Sequence, residues 1–301
     1  MNDPGGSAAE AREAFDRRLR ELRPKLHRYC ARMTGSVIDG EDVVQEALVK
    51  AIEAYPDAGT IGNPEGWLFR IAHNAALDFL RRRARQEAHS ADKDLDMIAD
   101  PSDVASDRQI AATSLRTFMR LPVTQRSSVI LMDVLGYSLQ EIGDVMASSL
   151  PTVKAALRRG RTRLREIAQE PDDLPPPALA EPERRRLAAY VDRFNARDFD
   201  AVRDMLADEV RLELVNRVRM KGRQEVQTYF SRYDSATHWL FAPGFVDRRP
   251  AVLVRNPANP AARPRYFVLL EWAEEGLVNI RDFLYAPYAA EEAELVFLDG
   301  S

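Results

Sequence analysis

The sequence predicts a multi-domain chain: two all-α blocks, the second carrying a helix-turn-helix, followed by an α+β domain. Three observations predict it. Helical periodicity of apolar residues runs as far as Gln169, whereas alternating, strand-like runs come only after it. Two breaks, the polar and turn-prone stretch His89 to Asp107 and the Pro-rich stretch Pro171 to Pro182, divide the chain. Between them "LPTVKAALRRGRTRLRE", Leu150 to Glu166, crowds six basic side chains into a protein of formal net charge −4. The reading gives a helical domain over 10–88, a linker over 89–112, a helix-turn-helix domain over 113–169, a Pro-rich linker over 170–182 and an α+β domain over 183–301.

Met1 to Arg12 lacks an apolar run and reads as a tail. Asp39 to Leu48 then opens a helix with acids in its first turn, which the macrodipole favours, and Val44, Leu48, Ala51, Ile52 and Tyr55 keep helical spacing. Asp42, Gln45 and Glu46 fall outside that face, either as a solvated surface or to meet a basic partner. Gly66 to Arg83 is a second long helix, with Leu68, Ile71, Ala75 and Phe79 on one face. Its polar stripe, Arg70, Asn74, Asp78, Arg81 and Arg85, offers an amide with donor and acceptor among guanidinium groups that hold phosphates or stack on an unstacked base. Trp67 reads as a packing anchor.

Ser138-Leu-Gln-Glu141 has the spacing of a capping box, so a helix starts there, with Leu139, Ile142 and Met146 inward. Ala147 to Pro151 interrupts it, and Pro151 suits the first turn of the cationic helix. On that helix Val153, Leu157, Gly160, Leu164 and Ile167 share an apolar face, while Lys154, Arg158, Arg161 and Arg165 form a second stripe. Two short helices about a tight break outline a helix-turn-helix whose second helix can enter a major groove. Ser149, Thr152 and Lys154 would reach base edges first, and the arginines would hold phosphate.

After the Pro175-Pro-Pro177 linker, Glu183 to Arg197 reads as a helix with Leu187, Tyr190, Val191 and Phe194 on one face, and Asp198 as the N-cap of a second, Phe199 to Leu206. "EVRLELV" alternates as a strand, "GRQEVQTYFSRY" returns to helix, and "PAVLVRN", "RYFVLLEWAE" and "GLVNIRDFLYA" supply a meander.

Composition narrows the function. A sequence 45% hydrophobic and 30% charged, with a pI near 5.8, does not coat nucleic acid over its whole surface, so any such contact is patchy. The single cysteine, Cys30, excludes an intrachain disulfide and reads as a core residue. The four histidines are scattered without zinc-ligand spacing, so neither a metal nor a cofactor is expected. No apolar run is long enough to span a membrane, and a cytoplasmic location without membrane contact is expected.

"DGEDVVQEALVKAIEAY", "NPEGWLFRIAHNAALDFLRRR" and "LPVTQRSSVILMDVLGYSLQEIGDVMASSLPTVKAALRRGRTRLRE", in that order, resemble the extracytoplasmic-function (ECF) type of bacterial RNA polymerase sigma factor over roughly residues 10–168. The resemblance implies that Asp42, Gln45 and Glu46 face the polymerase and that Asn74, Asp78, Arg81 and Arg82 recognise and help open the minus-ten promoter element. It implies that Thr152, Lys154 and Arg158 read the minus-thirty-five element, and the helix start and cationic stripe add Ser149 and Arg161 to that candidate site. Core RNA polymerase and promoter DNA are the partners it implies. Such a protein performs no bond chemistry, and no catalytic residue is assigned.

"YVDRFNARDFDAVRDMLADEVRLELV" and "KGRQEVQTYF" resemble the SnoaL-like members of the nuclear transport factor 2-like superfamily, which implies a curved sheet wrapped by helices around a conical pocket. The candidate polar lining is Glu213, Tyr233, His238, Arg281 and Asp282, with Trp239, Tyr266 and Trp272 as wall, for an unknown small ligand. Sigma factors with such an extension imply a fused regulator in place of a separate anti-sigma factor, acting by intramolecular contact with the sigma domains. The alternative is a ligand-responsive DNA-binding regulator that never engages polymerase; a third reading is an enzyme tethered to a vestigial DNA-binding half.

Overall fold

A computed structural model describes residues 4–59, 61–88, 114–170, 175–234, 239–259 and 261–298. The chain divides into two compact units, Met1–Asp172 and Asp173–Ser301. The first contains the helices α1 (Pro4–Thr34), α2 (Val37–Ala54), α3 (Pro64–Ala88), α4 (Leu115–Met119), α5 (Val123–Val129), α6 (Leu139–Met146) and α7 (Leu150–Ala168).

The expected N-terminal tail is helical from Pro4 onward. Phe15, Leu19, Leu22, Leu26, Tyr29 and Met33 recur every three or four positions along α1 and are all buried. The helix expected from Asp39 begins earlier, at Val37, because Ser36 accepts hydrogen bonds from the amides of Ile38 and Asp39 and so caps it. Asp39 and Glu41 are drawn inside the unit, Glu41 paired with Arg23, and only Asp42 of this acidic run is exposed. A side chain at Gly40 would lie 2.6 Å from the backbone of Ala31, so α1 and α2 cross at glycine-permitted distance.

On α3 the buried face is broader than the sequence spacing suggests: Phe69, Ala72, His73 and Ala76 are buried along with Leu68 and Ala75, while Ile71 and Phe79 are half-buried. Trp67 packs beside Phe15, its ring centroid 6.2 Å away. The two helical blocks, read from the sequence as separate bodies on a tether, share one core that runs from Phe15 through Phe69 to Ile167. Arg126 of α5, 4% exposed, joins them: its guanidinium donates to the carbonyls of Met33 at 2.6 Å, Met119 at 3.1 Å and Leu121 at 3.0 Å. Tyr137 adds a second link, donating to Glu65 at 2.7 Å beneath the Lys25 ammonium, which lies 4.4 Å from its ring centre.

The second unit contains α8 (Glu181–Asn195), α9 (Phe199–Asp204), α10 (Arg223–Asp234), α11 (Pro287–Glu292) and seven strands. These are β1 (Leu206–Leu214), β2 (Val218–Lys221), β3 (Leu240–Val246), β4 (Arg249–Arg255), β5 (Tyr266–Ala273), β6 (Gly276–Asp282) and β7 (Leu295–Phe297), in the order β2-β1-β6-β5-β4-β3-β7. The meander β3 to β6 is antiparallel, but β1 joins β6 in parallel, so the sheet is mixed. Asp198 caps α9 by accepting from the Ala201 amide at 3.1 Å. Leu206, expected to end that helix, instead opens β1. β3 escapes a propensity reading because it contains Pro243 and Gly244; the latter leaves room for the Val296 carbonyl of β7, 2.5 Å from where a side chain would begin. The four apolar residues assigned to α8, Leu187, Tyr190, Val191 and Phe194, are buried, and Phe194 stacks on Phe241 at 4.1 Å. Helices together with one mixed sheet make this unit α+β, the class expected for the last third of the chain.

Candidate nucleic-acid interface

The helix-turn-helix is built by two caps and a left-handed turn. Ser138 accepts from the Glu141 amide at 3.3 Å while Glu141 accepts from the Ser138 amide at 2.8 Å, closing the capping box that starts α6. Ala147, at φ 49°, ends α6 in the left-handed region. Ser149 then caps α7: its hydroxyl accepts from the Thr152 amide and lies 2.8 Å from the Thr152 hydroxyl. Ile142, Val145, Val153, Leu157, Gly160, Leu164 and Ile167 are buried, which fixes how α7 is rotated.

That rotation leaves Ser149, Thr152, Lys154, Arg158 and Arg159 exposed. Lys154, Arg158 and Arg159 have no acidic partner among the described residues. Arg161 differs from the sequence expectation. Its Nε donates to Asp133 at 2.9 Å, and the Asp133 side chain is 1% exposed, so this arginine is committed to an internal ion pair. Asp133 is carried there by the wide helical turn Ile130–Val134, in which the Leu135 amide donates five residues back to Ile130. Arg163 pairs with Glu166 at 2.9 Å, and Arg165 is half-buried. The four-cation stripe thus presents two cations outward, Lys154 and Arg158.

On α3, Asn74, Arg81 and Arg82 are exposed and Asp78 is half-buried. Asp78 accepts from Arg81 at 3.0 Å and lies 3.8 Å from Lys50 of α2. Arg82 reaches across to α2 and donates to Glu46 at 2.6 Å. Residues assigned from the sequence to a polymerase face and to a DNA face therefore hold each other. This Arg82 bond, with that from Lys50, holds the Glu46 carboxyl below its ordinary range against a raising effect of partial burial. Asp42 and Gln45 stand on the same helix, exposed and half-buried respectively.

The Sigma-70 region 2 family model matches residues 19–86, and the Sigma-70 region 4 model matches residues 115–164. An ECF RNA polymerase sigma factor SigM from Mycobacterium tuberculosis is 31% identical over 156 residues, 52% of this chain and 78% of that protein. The chain belongs to the ECF RNA polymerase sigma factor family. A second ECF sigma factor, SigE of Mycolicibacterium smegmatis, is 31% identical over 160 residues, 52% of this chain, and the chain spans 62% of its length. SigG of Mycobacterium tuberculosis is 29% identical over 282 residues, covering 85% of this chain and 74% of that one, so the likeness extends beyond the sigma regions. Among the described residues no helix is long and apolar enough to cross a membrane, and no group of side chains is arranged to hold a metal ion.

In this sigma factor the second unit encloses a cavity of about 240 Å³ between the sheet and α10. Tyr233, Trp239 and Tyr266, all assigned from the sequence, line it, together with Tyr229, Arg255, Arg265 and Tyr285, which sequence reasoning missed. Asp282 lies fully buried beside it, accepting from Tyr229 at 2.7 Å, Tyr233 at 2.8 Å and the Leu284 amide at 2.8 Å. Burial pushes its pKa upward against the opposing effect of those three donors. Glu213 and Arg281 are corrected. They pair with each other at 3.0 Å across β1 and β6, one residue out of step with Leu214 and Asp282, and so occupy the opposite face of the sheet. Trp272 is also corrected: it meets the Tyr190 ring edge-on at 6.4 Å and does not line the cavity. His238 lies outside the described residues.

Proposed function

We propose that this sigma factor binds core RNA polymerase through the α2 surface carrying Asp42, Gln45 and Glu46, and that α7 reads the minus-thirty-five element through Ser149, Thr152, Lys154 and Arg158. The α3 stripe of Asn74, Asp78, Arg81 and Arg82 engages the minus-ten element. The second unit is a fused regulator of this activity, and the protein works in the cytoplasm. The observation that carries the reading is the doubly capped α6–turn–α7 unit, which leaves Ser149, Thr152, Lys154 and Arg158, on the first half of a cationic helix, exposed to solvent. Phosphate contacts supply affinity there and the helix start supplies sequence reading. Arg161 belongs to the framework of this site and contributes by fixing α7 against Asp133.

The test is transcription in vitro with core polymerase, comparing the full chain with one ending at Asp172 on promoters found by run-off sequencing. Initiation by either form supports the sigma reading, and the ratio of the two gives the sign of control by the second unit. Initiation by neither form sinks it and leaves a DNA-binding regulator that does not engage polymerase.

A further inference from the structure

We propose that α7 selects thymine in the minus-thirty-five element by its C5-methyl group, through Leu150, Pro151 and Ala155. This selection rests on α7 being the reader of that element, and adds which feature of a base it reads. Val153, Leu157, Gly160 and Leu164 are buried and set the inward side of the helix. At about 100° per residue, Pro151 and Ala155 lie about 40° apart on the side away from them. Pro151 is exposed and Ala155 half-buried. The middle of the outward face, over about the first two turns, is therefore apolar, with Lys154 and Arg158 to one side of it and Thr152 and Arg159 to the other. Leu150 adds to it at the helix start. Its side chain is 38% exposed and yet steadied by α6, with Cδ2 4.0 Å from where a side chain on Gly143 would begin.

Only one base edge complements such a surface. In the major groove guanine presents acceptors, cytosine a donor, and adenine an acceptor with a donor, whereas thymine sets a methyl group beside its acceptor. An alkyl side chain laid against any of the first three strips water from a polar group and returns no hydrogen bond. Against thymine it covers a methyl. Hydrogen bonding and charge are left to the flanks, where Thr152 offers a hydroxyl and Lys154, Arg158 and Arg159 are exposed with no acidic partner among the described residues. Those groups hold phosphates and neighbouring base edges, which fixes the register in which the apolar centre meets its base. A scattered exposed leucine is ordinary on a protein surface. Leu150, however, is the one large apolar side chain exposed among the described residues of α6 and α7, and it stands on the helix that enters the groove.

The test is promoter binding by core polymerase carrying the full chain, on a promoter found by run-off sequencing. Each thymine of the minus-thirty-five element, on either strand, is replaced in turn by deoxyuridine, which removes the methyl and keeps the pairing edge. At one thymine or more, uridine is expected to weaken binding about fourfold, the size of one buried methyl group. Leu150→Asn or Ala155→Ser brings the thymine and uridine forms to equal affinity at such a position. Lys154→Ala weakens both forms alike and keeps their ratio, because it removes a phosphate contact and no methyl contact. Equal binding of the two forms at every position, on a promoter from which the unmodified complex initiates, overturns the proposal and leaves the sigma reading standing. A uridine effect that persists undiminished in both the Leu150 and Ala155 variants overturns it as well. Initiation from no promoter overturns both readings together.

Discussion

Replacing Arg126 by Met tests whether the two helical blocks are held together by a buried cation or merely tolerate one. The guanidinium makes three bonds to backbone carbonyls, one of them across the blocks to Met33. Bonds from a charged donor contribute about 1.5 kcal/mol each, or about 5 kcal/mol together. Against this, burial pulls the arginine from its ordinary 12.5 down to about 10, so it is still charged at neutral pH but carries a desolvation cost. At about 1.4 kcal/mol per tenfold, that cost is about 3 kcal/mol. Methionine removes the bonds and the cost together and refills most of the volume. The net expectation is a loss of about 2 kcal/mol, which for a unit of this size lowers the melting temperature by about 4 to 8 °C. Thermal melting of the chain ending at Asp172 isolates the relevant transition from that of the second unit. A variant that melts at the wild-type temperature or above refutes the reasoning, because desolvation would then outweigh the carbonyl bonds.

Three further outcomes follow from the same geometry. Arg161→Ala leaves the Asp133 carboxylate buried without its partner and destabilises the first unit by about 3 kcal/mol in denaturant titration, while the salt dependence of promoter binding stays as it was. Lys154→Ala and Arg158→Ala do the reverse: each flattens the slope of log affinity against log salt by about 1, measured by fluorescence anisotropy, with little change in stability. His73, buried with its Nδ1 2.7 Å from the Tyr29 hydroxyl, is held down to about 4 by burial. The unfolded chain takes up a proton near pH 6.5 that the folded one refuses, so about 3 kcal/mol of stability present above that pH is lost as it falls towards 4. His73→Gln removes this slope in acid unfolding; an unchanged slope places the proton uptake elsewhere.

The fold was legible where local physics decides it. The Ser138 to Glu141 box, the Asp198 cap and the apolar face of α7 are set by neighbours within one or two turns, and each occurs where the spacing puts it. What was missed depends on partners distant in sequence. β3 forms through Pro243 and Gly244 because β4 and β7 pair with it on both sides, a condition that no window of residues contains. The joining of the two helical blocks rests on Arg126, whose partner Met33 lies 93 positions away. A basic residue in the middle of "VTQRSSVILM" gives no local sign that it will be buried.

The same distinction governs the sites. A helical wheel sorts side chains by angle, and by angle Arg161 belongs with Lys154 and Arg158. Whether a cation is available to DNA depends instead on whether a buried acid holds it, and Asp133, 28 positions earlier, settles that for Arg161. In the sheet, alternation alone separates Arg281 from Asp282, so the sequence could have assigned only one of the two to the cavity; the choice required knowing which face α10 covers. The tyrosines Tyr229 and Tyr233, one helical turn apart, were the available signal, because a helix that puts both hydroxyls on one carboxylate fixes that face. A chain of net charge −4 can therefore carry a DNA-reading surface without a basic excess: an acid holds Arg161 in the framework, while Lys154 and Arg158 of α7 have no acidic partner among the described residues.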